Sequence, residues 1–75
     1  MTPSQCRAAR ALLDMSQPDL ASQAGLGLST IVDFERSRRA VSSDGIQKIV
    51  SALETSGVEF IAENGGGAGV RLRNP

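Results

Sequence analysis

One short stretch limits the fold of this 75-residue chain more than any other, because it carries a helix start and a helix stop close together. Ser16 can accept a backbone hydrogen bond as an N-cap, Pro18 suits a first helical turn, and Asp19 follows Ser16 by three residues, as in a capping box. Gly25 then supplies the left-handed residue that commonly closes a helix. The segment predicts a short helix, whose inward residues are Leu20, Ala21 and Ala24, and a tight turn at residues 26–27.

Helical spacing of apolar residues predicts three further helices around that short one. The first covers about residues 4–14, with Ser4 as its N-cap, and the third covers about residues 28–36. The fourth follows an N-cap at Ser43 and is stopped by Gly57. Its inward face is the clearest apolar stripe of the chain, formed by Ile46, Ile49, Val50 and Leu53.

The last part of the chain changes character and reads as strands. Residues 58–62 and 70–73 predict two short strands, and the glycine-rich residues 64–69 predict the turn between them. The expected fold class is therefore mainly α, a four-helix domain with a C-terminal β-hairpin. We expect residues 1–57 to form the helical domain and residues 58–75 to form the hairpin.

A five-residue loop from Asn64 to Ala68 would set the register of this hairpin. The cross-strand pairs expected from it are Phe60 with Leu72, Ala62 with Val70, and Glu59 with Arg73. One face is then apolar, and because a two-stranded hairpin is marginally stable in water, that face must cover the helices or a partner. The hairpin is the segment left over after the four helices, so we expect Phe60, Val70 and Leu72 to mediate dimerisation.

Composition excludes several classes of function. The chain has no histidine and one cysteine, Cys6, so we expect no zinc site, no Ser/His or Cys/His catalysis and no internal disulfide. Its two phenylalanines are too few for a surface on which single-stranded nucleic acid stacks. We predict a protein that is not an enzyme and has no cofactor, in a reducing cytoplasmic setting, without a signal peptide or a membrane span.

Charge is balanced overall but clustered locally. Eight basic and eight acidic residues give a net charge of zero, which argues against a non-specific coat protein for nucleic acid. Three of the basic residues stand together at the end of the third predicted helix: Arg36, Arg38 and Arg39. On charge alone they could form a solvated loop, but after two helices joined by a tight turn, contact with phosphates is the better interpretation.

Two short helices joined by a glycine-containing turn describe a helix-turn-helix. Ile31 and Phe34 lie on the inner side of the third predicted helix, which leaves its other side free. The outward residues are Ser29, Thr30, Asp33 and Arg36, with Gly27 and Leu28 at the exposed N-terminal end. A helix held in this way can enter the major groove of double-stranded DNA with its first residues against the base edges.

Three segments of the chain resemble lambda-repressor-like helix-turn-helix regulators, the Cro/repressor and xenobiotic-response-element type. Residues 13–21, LDMSQPDLA, are similar to the family's junction between helices 1 and 2, and residues 24–35, AGLGLSTIVDFE, to its turn and recognition helix. Residues 46–53 are similar to the helix that follows. The resemblance covers about residues 5–55 and implies a DNA-binding transcriptional regulator.

The resemblance also implies roles for individual residues. Gln17 corresponds to an amide that contacts phosphate, and Arg10 and Glu35 correspond to an ion pair that ties helix 1 to the end of helix 3. The positions that read bases are Gly27, Leu28, Ser29 and Asp33. The positions that meet the DNA backbone are Arg36 and the loop after it, which holds Arg38 and Arg39.

The chain departs from the family pattern at three points. Ser37 stands where the family often has glycine, and a serine in a left-handed cap costs about 1 kcal/mol relative to glycine. The base-reading positions lack long glutamine or arginine side chains, and Asp33 accepts only from cytosine and repels phosphate. We therefore expect Leu28 or Thr30 to touch a thymine methyl group, with DNA shape supplying further readout. The hairpin replaces the fifth helix that often builds the family's dimer.

These observations predict a sequence-specific regulator that binds double-stranded DNA as a homodimer and represses by occluding a promoter. The alternative is a protein-interaction module on the same fold, for example an antitoxin-like partner whose hairpin docks a second protein. The glycines at residues 65–69 do not predict a nucleotide site, because phosphate-binding loops open a helix and a strand follows here.

Overall fold

The computed structural model describes residues 1–73; residues 74–75, which the expected hairpin domain includes, lie outside that range. The described chain forms four helices and two antiparallel strands: α1 (Pro3–Leu13), α2 (Gln17–Ala24), α3 (Leu28–Glu35), α4 (Ser43–Thr55), β1 (Val58–Ile61) and β2 (Gly69–Leu72). This order confirms the expected fold class. Within the described range, every helix is too short or too polar to cross a bilayer.

The two ends of α2 match the prediction. The Ser16 hydroxyl accepts from the Asp19 N–H at 3.1 Å, and the Asp19 carboxylate accepts from the Ser16 N–H at 3.4 Å. Gly25 closes the helix with φ at +70°. These caps limit α2 to eight residues and fix the point at which the chain turns towards α3.

The predicted N-cap of α1 is wrong, because Thr2 rather than Ser4 caps the helix. The Thr2 hydroxyl accepts from the Gln5 N–H at 3.1 Å, and the Gln5 side-chain oxygen accepts from the Thr2 N–H at 2.8 Å. Pro3 then occupies the first helical position, where its missing N–H leaves no hydrogen bond unmade.

The predicted N-cap of α4 is wrong by one residue. Ser42 rather than Ser43 caps α4, and its hydroxyl accepts from the Gly45 N–H at 3.1 Å. Of the four apolar residues predicted to face inward on this helix, Ile49 and Leu53 are fully buried and the other two are half-buried.

The helices and the hairpin share one core. Each helix contributes to it, and so does the first strand, through the buried residues Cys6, Ala9, Leu20, Ala21, Ala24, Ile31, Phe34, Ile49, Ala52, Leu53 and Val58. Val58, at the start of β1, is only 1% exposed. The hairpin therefore takes part in the packing of the helices.

The predicted register of the hairpin is wrong. The observed cross-strand pairs are Val58 with Leu72, Glu59 with Arg71, Phe60 with Val70, and Ile61 with Gly69, so Ala62 has no partner in the ladder. Relative to the prediction, β2 is displaced by two residues. Since a side chain changes face only with a one-residue shift, Phe60, Val70 and Leu72 still share one apolar face. Val58 joins them in the ladder, and Ala62 lies outside it.

The turn between the strands covers residues 62–68 and is longer than predicted, because Glu63 binds backbone N–H groups within it. One oxygen of the Glu63 carboxylate accepts from the Gly65 N–H at 2.7 Å and from the Gly67 N–H at 2.9 Å. The Asn64 side-chain oxygen accepts from the Gly66 N–H at 3.2 Å. These bonds fold Glu63 into the turn, and the strand ladder ends before it.

The apolar face of the hairpin lies mainly against its own chain. Phe60 and Val70 are half-buried against the core, whereas Leu72 is 51% exposed. The side-chain nitrogen of Gln5 on α1 donates to the Gly69 carbonyl at 2.8 Å and the Ile61 carbonyl at 3.4 Å. These two bonds hold the turn end of the hairpin on the first helix.

Candidate nucleic-acid interface

The turn between α2 and α3 is short and closed by backbone bonds. The Leu26 N–H donates to the Ala21 carbonyl at 3.0 Å, and Ala21 itself is 5% exposed beneath the turn. Gly27 is the N-cap of α3 and, having no side chain, makes no capping bond. The first turn of α3 is therefore approachable from outside.

The outer face of α3 consists of residues that the core does not use. Ile31 and Phe34 point into the core, with exposures of 0% and 7%. On the other side, Leu28 is 46% exposed. Ser29 is exposed beside it, and Thr30 and Asp33 are half-buried on the same side.

Glu35, the last residue of α3, anchors that helix to α1. Its carboxylate is 2% exposed and receives both ends of the Arg10 guanidinium, at 2.7 Å from Nε and 2.7 Å from Nη2. The Cys6 thiol donates to the same carboxylate at 3.1 Å. Arg7 donates to the Glu35 backbone carbonyl. Three side chains of α1 thus fix the C-terminal end of α3.

These contacts determine the protonation states of the Glu35 carboxyl and the Cys6 thiol. Burial alone would raise the pKa of the Glu35 carboxyl, but hydrogen bonds from Arg10, Cys6 and Gln17 outweigh it and lower that pKa. Burial and the hydrogen bond to Glu35 together raise the pKa of the Cys6 thiol far above its usual range. At neutral pH the carboxylate is therefore ionised and the thiol is protonated.

Gln17, to which the resemblance assigns a phosphate contact, also reaches Glu35. Its side-chain nitrogen donates to the Glu35 carboxylate at 3.0 Å. An amide nitrogen carries two hydrogens, so this bond leaves a second donor. Gln17 is half-buried at the first position of α2.

One of the three clustered arginines, Arg39, differs from the other two. All three are exposed, but the side chains of Arg36 and Arg38 make no hydrogen bond or ion pair with any residue in the range 1–73. Arg39 instead folds back onto α3. Its Nε lies 3.3 Å from the Asp33 carboxylate, and its Nη2 donates to the Thr30 hydroxyl at 2.9 Å.

The chain reverses before Arg39 through Ser37, whose φ is +55°. The Arg38 N–H donates to the Asp33 carbonyl at 2.9 Å, which closes the end of α3. The left-handed conformation stands where the family often has glycine, as the resemblance implied. It directs the loop back towards the outer face of the helix.

Some of these contacts were not predicted from the sequence. Cys6 and Arg10 are one helical turn apart on α1, so the pairing of Arg10 with Glu35 could have indicated that the thiol lies near the same carboxylate. Arg39 follows Asp33 across a loop, and no regular spacing predicts that contact. Within residues 1–73, no cluster of three metal-ligating side chains occurs.

The geometry of α2, the turn and α3 agrees with the comparison to known families. The family profile described as helix-turn-helix matches residues 7–60, which includes most of α1, all of α2 to α4 and the first residues of β1. No curated protein matches the chain.

Proposed function

The chain belongs to the lambda-repressor/Cro-like helix-turn-helix family of DNA-binding regulators, and from that premise we propose that it is a sequence-specific transcriptional repressor that acts as a homodimer in the cytoplasm. The observation that carries this proposal is how α3 is held. The inner side of α3 packs in the core, and its last residue is fixed by α1. The outer face of α3 therefore contributes little to folding and is free to contact base edges.

In this proposal, residues 1–57 contact DNA. Gly27, Leu28, Ser29 and Thr30 face the base edges at the start of α3, where Leu28 can cover a thymine methyl group. Gln17, Arg36 and Arg38 contact phosphates, and they are suited to it because each has at least one donor that no described residue occupies. Asp33 and Arg39 are a separate case, since they bind each other.

The size of the chain supports the association of two copies. The described chain measures 30 × 27 × 19 Å, whereas successive major grooves on one side of DNA are about 34–36 Å apart. One copy therefore reads one groove, and a two-fold pair reads two. We assign the contact between copies to the hairpin, through Phe60, Val70 and Leu72, with Leu72 supplying the most exposed apolar side chain of the three.

Selection of double-stranded DNA from a random pool tests the proposal. We expect enrichment of a two-fold motif, with half-sites one helical turn apart. Binding to that motif should weaken with salt. Arg38→Ala should reduce the magnitude of the slope of log K against log salt by about 1.8, because each of the two copies loses one phosphate contact worth about 0.9.

The matched control is Arg71→Ala, which removes an exposed arginine that pairs with Glu59 across the hairpin at 2.5 Å. It should leave the salt slope unchanged. A folded protein that enriches no sequence would contradict the regulator and support the alternative function, a protein-interaction module on the same fold.

A further inference from the structure

Arg39 has a defined place on the outer face of α3, unlike its two neighbouring arginines. Its guanidinium lies over Thr30 and Asp33, which are three residues apart on the helix and so share a face. Leu26 and Val41 line the same shallow cleft as Arg39 and Thr30. This cleft lies between the start of α3 and the start of α4, and Arg39 forms part of its lining.

The contact between Arg39 and Asp33 does little for stability. The Arg39 side chain is 52% exposed and that of Asp33 is 27% exposed, and ion pairs so open to water contribute little to folding. What the contact does is orient the guanidinium. It also sets a positive charge against Asp33, which on its own would repel the phosphates of DNA.

The donors that remain free on Arg39 decide what it can bind. A guanidinium has five N–H groups in one plane. Nε faces the Asp33 carboxylate in an ion pair, and the bond to Thr30 uses one hydrogen of Nη2. Among residues 1–73, both hydrogens of Nη1 and one of Nη2 have no partner, and they form a two-pronged edge that matches O6 and N7 of guanine.

We propose that Arg39 reads a guanine in the major groove, and that Asp33 and Thr30 position it for that contact. This assignment rests on the proposed DNA-binding function and adds the long bidentate side chain that the first turn of α3 lacks. It gives Asp33 an orienting role in place of a direct contact with cytosine, and it separates Arg39 from the phosphate-binding arginines.

Arg39→Lys tests the assignment on the full chain, with the DNA motif obtained by selection. Lysine keeps the positive charge but lacks the planar pair of N–H donors with which a guanidinium binds two acceptors at once. We expect the preference for guanine at one position of each half-site to fall by about 5- to 150-fold, the range for a bidentate contact, while affinity for random DNA and the salt slope stay within about two-fold. Arg38→Lys is the matched control. Because Arg38 is assigned to phosphate, any change in affinity should be the same for all sequences, and the preference for guanine should stay.

Asp33→Ala tests the positioning role. With Arg39 released, we expect a weaker preference for guanine and a higher affinity for random DNA, because a negative charge has been removed. A merely structural role would not move base preference in this way. In the Arg39→Lys background, Asp33→Ala should cause no further loss of preference at that position.

The outcomes separate the two levels of the proposal. If the wild-type chain selects a motif but Arg39→Lys keeps every base preference, Arg39 is not a base reader and this inference is overturned, while the DNA-binding function stands. If Arg38→Lys and Arg39→Lys lose the preference alike, the special position of Arg39 is likewise overturned. A folded wild-type chain that selects no sequence overturns the proposed function itself.

Discussion

At the scale of single residues, Glu35 is the position on which the orientation of α3 depends most. A carboxylate that is 2% exposed is costly to bury unless its oxygens are all satisfied. Arg10, Cys6 and Gln17 satisfy them from two different helices. Removing one partner of such a pair costs far more than the pair contributes, because a buried charge is left behind.

Glu35→Gln should lower the free energy of unfolding at pH 7 by about 3 kcal/mol, the range for breaking a buried ion pair. It should also flatten the loss of stability in acid. Because the pKa of Glu35 is lowered in the folded state, its contribution is fully present above the unfolded value of about 4.3 and is lost as the pH falls through the lower folded value.

Urea denaturation from pH 7 down to pH 2 measures both effects. Glu59→Gln is the control, since that carboxylate is 46% exposed on the hairpin, and it should leave the acid profile nearly unchanged. An acid profile for Glu35→Gln that matches the wild type would show that another carboxylate governs acid unfolding.

Predictions for single residues are confirmed where the residue type has one common structural role at that position. Gly25 closes α2 with a positive φ as expected, and Ser16 caps it. The cap of α1 was missed because Thr2 and Ser4 flank Pro3 and both are good caps. Gln5, three residues after Thr2, was the signal that favours Thr2.

At the scale of elements, the sequence predicts the hairpin and its apolar face but not its register. Alternation specifies a face, and a displacement of two residues leaves that face unchanged. The register depends on the turn, where Glu63 takes two glycine N–H groups. Hydrogen bonds between a side chain and backbone N–H groups two and four residues ahead do not affect the spacing of hydrophobic residues. That spacing therefore does not predict them.

Val58→Ala should lower the free energy of unfolding by about 2 kcal/mol, from lost burial and the cavity left behind. Leu72→Ala is the matched control, because Leu72 is the cross-strand partner of Val58 and is 51% exposed. It should change the unfolding of the single chain by less than about 0.5 kcal/mol.

Helical circular dichroism during urea unfolding reads out the Val58 effect, since the hairpin itself adds little to that signal. If Val58→Ala leaves the helical transition where it is in the wild type, the hairpin does not stabilise the helices. A truncation after Gly57 would not answer the same question, because it removes Val58 together with the rest of the hairpin.

At the scale of the whole molecule, the parts proposed to meet DNA and to meet a second copy are joined by one core. The Arg10 and Cys6 contacts to Glu35 and the Gln5 contacts to the hairpin all originate on α1. Gln5 and Cys6 are adjacent residues, one holding the hairpin and the other touching the end of α3. The sequence could not show this, because it arises from how the two ends of the fold pack on one helix.

Leu72→Ala should shift the protein from dimer towards monomer and weaken operator binding, while the fold of each copy is kept. Leu12→Ala on α1 is the matched control, because Leu12 is also exposed, at 42%, and has no assigned role. Sedimentation equilibrium across concentrations measures the change. A wild-type chain that is monomeric at operator-binding concentrations, or a Leu72→Ala variant that associates as tightly as wild type, would contradict the assignment.

The anchoring of the C-terminal end of α3 through Glu35 also affects how such a regulator can acquire new DNA target sequences. Leu28, Ser29, Thr30, Asp33 and Arg39 contribute no fully buried side chain, so replacing them leaves the Glu35 contacts in place. A combinatorial library at these five positions should contain a high proportion of folded members. Retargeting, by evolution or by design, can then proceed one base pair at a time without first rebuilding the scaffold.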